Sequence, residues 1–158
     1  MGLDMYLSRK YHIKNWNFLE DKDRHAITIT RGGKPSAIQT SKITDVITEE
    51  MYWRKANAIH NWFVTNVQDG KDDCNEYYVD REQLKKLLFI VNEIIKDHSK
   101  APELLPTSGG YFFGDSSYNH CYFSDLEDTQ KTLSVLLFVN KIEQSTRSEG
   151  EFYYQSSW

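Results

Sequence analysis

The chain has 158 residues, a length that suits one domain rather than two. Nineteen Lys and Arg against 23 Asp and Glu leave a net charge of -4, too acidic for bulk electrostatic binding of nucleic acid and too weakly acidic for a DNA mimic. Only two cysteines occur, Cys74 and Cys121, which make no disulfide framework and fit a reducing, cytoplasmic setting.

The opening MGLDMYLSRK lacks the apolar stretch of a secretory signal, and Tyr6 stands where a myristoylation pattern wants Ser or Thr. Within it, Leu3, Met5 and Leu7 alternate with polar or amphipathic neighbours and predict a half-buried strand. Ile27 and Ile29 alternate with Thr28 and Thr30 ahead of Gly32, Gly33 and Pro35. This predicts a second strand and a turn, pairing with a short strand near 37–39.

A helix is expected over about 49–65. At about 100° per residue its core stripe is Tyr52, Ala56, Ile59 and Phe63, flanked by Met51 and Trp62. Trp53, Asn57 and His60 then fall on the other flank, and Arg54 points away from the core. Asp80 with Gln83 marks the start of a second helix, in which Leu84, Leu87, Leu88, Val91, Ile94 and Ile95 keep helical spacing. Ser124 with Glu127 resembles a capping box for a third helix over about 125–143. Between them lies an aromatic segment, 111–113, bounded by glycines. Phe152, Tyr153 and Tyr154 form a last strand that joins the sheet. The longest apolar runs, at 87–91 and 135–139, fall far short of the roughly 20 residues a membrane span needs. The expected fold is a single α+β domain over residues 1–158, a small antiparallel sheet packed against about three amphipathic helices.

The motifs of common chemistry are missing. Neither a Walker A loop nor a dinucleotide-binding glycine pattern is present, and no cofactor is implied. The acidic loop holding Asp69, Asp72, Asp73 and Glu76 breaks the calcium-loop pattern at Lys71. Adjacent His120 and Cys121 are a poor zinc chelate, so no metal is expected. Two groupings favour binding. Trp53, Asn57 and His60 place an indole, an amide and an imidazole beside one another, able to stack a planar ligand and read its edge. The segment 107–122 offers Ser108, Gly109 and Gly110 as an anion nest among Tyr111, Asp115, Tyr118, His120 and Tyr122. The candidate ligand-binding residues are therefore Trp53, Arg54, Asn57, His60, Tyr111, Asp115 and Tyr118, with no catalytic residue assigned.

The start MGLDMYL, the segment YWRKANAIHNWFVTNVQDGKDDC and the later LLPTSGGYFFG together resemble a widespread family of small phage and prophage proteins. Relatives often carry Gly-Phe-Phe-Phe-Gly where this chain has Gly110-Tyr111-Phe112-Phe113-Gly114. The family brings no established activity. The resemblance implies a setting: an accessory protein in the cytoplasm of a bacterial host that antagonises host defence. The leading expectation is capture of a small anionic, nucleotide-like signal. In that scheme Trp53 stacks the base, Asn57 and His60 read its edges, and Arg54 neutralises phosphate. Arg54 reaches such a site only through a folded-over loop or a subunit interface, which leaves a homo-oligomer open. The alternative is a protein-binding inhibitor of a host defence complex, like an anti-CRISPR protein, with Arg54, Lys55 and Trp62 as contacts. A third is a small enzyme using His60 with Asp73 or Cys74. No membrane association is expected.

Overall fold

The computed structural model describes residues 2–110, 113–138 and 150–158. It is an α+β domain, as the sequence implies. Four strands, β1 (Asp4–His12), β4 (Asp45–Arg54), β5 (Tyr77–Val79) and β6 (Glu151–Ser157), form an antiparallel sheet in the order β4-β1-β6-β5. A separate two-residue hairpin pairs β2 (Thr30–Arg31) with β3 (Lys34–Pro35) around Gly32 and Gly33. Both glycines have positive φ, which the tight turn demands. The expected strand at 27–30 and its partner at 37–39 are corrected to this shorter hairpin.

Strand alternation sorts the sheet into two faces. Leu3 just ahead of β1, Met5 and Leu7 in it, Met51 and Trp53 of β4, Val79 of β5, and Phe152 and Tyr154 of β6 are buried on one face. On the other, Tyr6 meets Tyr52 and Tyr78 meets Tyr153 in aromatic pairs nearer solvent. Helices α1 (Asn57–Asn66), α2 (Arg81–Lys96) and α4 (His120–Phe138) share the buried core with the first face, and a single turn, α3 (Ala101–Leu104), links α2 to the loop before α4. Phe63 of α1 stacks on Tyr154 at 3.9 Å between ring centres and meets Trp53 at 5.9 Å, which ties helix to sheet.

α2 begins as expected: Asp80 accepts from the Glu82 amide and Gln83 reaches back to the Asp80 amide. The expected helix over 49–65 is corrected. Residues up to Arg54 are strand, hydrogen-bonded to β1 with Met5 opposite Trp53, and the helix starts only at Asn57. A chain reversal at Lys55, in the left-handed region with φ 60°, separates the two. The third helix is also longer at its start. Asn119 caps it, accepting from the amides of Cys121 and Tyr122 at 2.9 and 3.3 Å, so Ser124 and Glu127 lie inside the helix. The far end of the expected third helix, 139–143, and two residues of the aromatic segment, 111 and 112, lie outside the described residues. Among the described residues no helix is long and apolar enough to cross a membrane.

Candidate functional site

The Lys55 reversal aims the start of α1 into a cavity of about 550 Å3, within the range of small-molecule sites. One wall is Arg54, Lys55 and the first turn of α1. The second is the loop segment holding Thr107, Gly114, Asp115 and Ser117, and the third is the first turns of α4, including His120, Tyr122 and Asp125. Ala56 at the N-cap of α1 has no side chain to accept from the first amides; the Asn57 amide donates to Lys55 O at 2.9 Å, and the positive end of the helix lies at the cavity wall. Arg54 is 62% exposed, with its nearest carboxylate, Asp4, at 3.9 Å. Lys55 is exposed as well. Cationic side chains and an uncapped helix start thus share one wall, an arrangement that favours an anion.

The loop wall is built by Asn57. Its amide nitrogen donates to the carbonyls of Phe113 at 3.0 Å and Asp115 at 2.8 Å, and its oxygen accepts from the Ser108 amide at 3.0 Å. Both amide protons are consumed, and the residue is 3% exposed. Asn57 therefore holds the site together rather than reading a ligand. The same bond fills the expected nest at Ser108 with the protein's own oxygen. Gly114 completes the fit: at φ 85° it packs against Lys55, and a Cβ there would lie 3.0 Å from the Cβ of Lys55.

Two carboxyls line the cavity and differ in state. Asp115 accepts from the amide and hydroxyl of Ser117 and from Asn119, at 2.9, 2.6 and 2.7 Å, and the bonds from Ser117 hold it below the ordinary carboxylate range. Asp125 is half-buried, and burial followed by the like charge of Asp128 pushes its carboxyl up to about 6. Tyr122 forms part of the floor, with its hydroxyl donating to Leu105 O at 2.9 Å and burial raising its ionisation far above neutrality.

Of the residues expected at the site, Arg54, Asn57 and Asp115 come together here. Trp53 and His60 do not. Trp53 sits on a strand, 2% exposed, and its indole donates to Thr129 Oγ1 of α4 at 2.8 Å. His60 is 1% exposed, with Nδ1 at 2.8 Å from the Tyr154 hydroxyl and Nε2 at 3.1 Å from Asp72. The expected ligand-facing stripe of indole, amide and imidazole is corrected to three internal braces, because the strand before Lys55 breaks the helical wheel that aligned them. Asp73, the expected partner of His60, instead accepts from Asn75 and Tyr77. Trp62 is 6% exposed and offers little surface to a partner. Tyr118 does not line the cavity; it lies edge-on to Tyr122 and its hydroxyl accepts from the Thr107 amide at 3.4 Å, and Tyr111 lies outside the described residues. Sequence reasoning missed Asp125, which no motif marks. It also missed the cap at Asn119, which the spacing Asn-x-x ahead of an apolar helix could have shown. Among the described residues no cluster of His, Cys, Asp and Glu is arranged to hold a metal.

Comparison with known proteins adds no relative: no family model, curated protein or solved structure matches the chain.

Proposed function

We propose that this protein is a binding domain that captures a small anionic, nucleotide-like ligand in the cavity at the start of α1, and that it does so as a phage accessory protein acting against host defence. The observation that carries the reading is the convergence of Arg54, Lys55 and the uncapped turn of α1 on one wall of a 550 Å3 hollow. The base is no longer assigned to Trp53; Tyr122 and the apolar side chains of Ala58, Ile59 and Leu126 supply the apolar lining instead. The phage setting rests on the sequence resemblance. A thermal-shift screen against cyclic di- and trinucleotides, nucleoside monophosphates and ADP-ribose derivatives tests the reading. At a hundredfold excess over Kd, mass action gives about 2.7 kcal/mol, or roughly 5–10 °C for a domain of this size. Lys55→Ala should lose the shift, and a flat screen ends the proposal.

A second reading has one observation in its favour. Trp16 and Phe18 stack at 5.5 Å on the surface, Phe18 being 81% exposed, beside an open hollow lined by Ile13 and Ile27. An aromatic pair of that kind suits a protein partner such as a host defence complex. In bacteria carrying the relevant defence system, protection of phage growth should then depend on Phe18 and tolerate Lys55→Ala.

A further inference from the structure

Among the described residues that line the cavity, Asp125 is the carboxyl to which no protein group donates. Asp125 lines the hollow from the second turn of α4 and is half-buried. Among the described residues no hydrogen bond or ion pair reaches its carboxylate. The Thr129 hydroxyl donates to the backbone carbonyl of Asp125 and leaves its side chain open. Arg54 and Lys55, though on the same cavity, are too far to form an ion pair with it. The charge that acts on Asp125 is Asp128, of the same sign. Asp115 makes the contrast: lining the same hollow, it is closed off by Ser117 and Asn119.

A half-buried carboxyl with no protein donor depends on water for its hydrogen bonds. A ligand that fills the cavity displaces water and must replace its hydrogen bond or lose affinity. The cavity therefore asks two things of its occupant: negative charge against the wall of Arg54, Lys55 and the α1 amides, and a nitrogen donor against Asp125. A nucleotide with an exocyclic amino group on its base has both. One with an oxo group in the amino group's place sets lone pair against lone pair at that position, and the ring N–H beside the oxo group meets the carboxylate only if the base shifts.

We infer that Asp125 is the specificity-determining residue of the cavity and selects amino-bearing bases, adenine or cytosine, over their oxo counterparts. This rests on the reading of the cavity as a nucleotide site. The test uses matched monophosphates that differ at that group, AMP against IMP and CMP against UMP, titrated calorimetrically into the full chain at pH 7.5. The amino member of at least one pair should bind about tenfold to a hundredfold tighter, the range of a hydrogen bond to a charged group. Asp125→Ala should bring the two members of that pair level. Asp125→Asn, which keeps the shape, should erase most of the preference as well. If both members of each pair bind alike and Asp125→Ala weakens neither, the selection falls while the nucleotide site stands. If none of the four binds and the wider ligand screen is flat, both fall. A preference for the oxo member overturns the inference outright.

Discussion

Tyr154→Phe removes one oxygen from the middle of the molecule and should be far from silent. Tyr154 is fully buried in β6, and its hydroxyl lies 2.8 Å from His60 Nδ1, while His60 Nε2 lies 3.1 Å from Asp72. Burial raises the phenol well above its usual ionisation, so the hydroxyl stays protonated. The substitution keeps the ring stacked on Phe63 and opens almost no volume. What it leaves is an imidazole nitrogen with no partner at a site 1% exposed. Orphaning a buried polar group costs about 1–3 kcal/mol, against about 1 for the mean value of such a bond. Taking about 2 kcal/mol, Tm should fall by about 4–8 °C for a domain of this size. Urea unfolding followed by tryptophan fluorescence measures it, with an unchanged m-value confirming that only stability has moved. In a His60→Met background the same Tyr154→Phe change should cost little, because no nitrogen remains to be stranded. A Tyr154→Phe variant within 0.5 kcal/mol of the parent, or an undiminished loss in the His60→Met background, would refute the bracing role.

Gly114→Ala should both destabilise the protein and spoil the cavity. The backbone there is left-handed and the new methyl would press on Lys55, so a loss of about 1–2 kcal/mol is expected in denaturant melts, together with weaker ligand binding. Stability should also depend on Asp125 through pH. Its folded-state carboxyl titrates near 6 against 3.8 for the ordinary group, so the folded state binds the proton more tightly. This contribution is fully present below about pH 4 and is lost as pH rises through 6. The shift caps the loss at about 3 kcal/mol, and partial solvent contact reduces it to about 1–2. Asp125→Asn should remove this slope between pH 4 and 6.5, and a parallel pH profile for the variant counts against it.

α2 was legible in the sequence because its cap and its apolar period agree, and each is local. The strand and helix on either side of Lys55 were not. Tyr52, Ala56, Ile59 and Phe63 fit a helical period, while Met51 and Trp53 alternating with Tyr52 and Arg54 fit a strand. No Gly or Pro marks the break, since a lysine takes the left-handed turn. Pairing with β1 decided between the periods, and that partner is some fifty residues away. The helix before Phe138 was found but started late, because Ser124 and Glu127 imitate a cap that Asn119 supplies. Half the site was readable for the same reason: Arg54, Asn57 and Asp115 are polar residues in two segments that the fold joins. Trp53 and His60 look identical in sequence whether they face a ligand or a core. Thr129, Tyr154 and Asp72, all distant in the chain, determine which.

The position of β6 carries a kinetic consequence. It lies between β1 and β5, and Ser8 and Tyr153, which it brings together, are 145 residues apart. β1 and β4 can zip early, but among the described residues β5 pairs in the sheet with β6 alone and must wait for it. Closing so long a loop is an entropic toll met before most of the sheet is rewarded, which makes for a slow search. Until the keystone is seated, β1 shows a bare edge and the apolar side of the sheet is open to neighbours. Refolding yield should therefore fall with protein concentration well before equilibrium stability is at issue, and a chaperone that shields strand edges should rescue it.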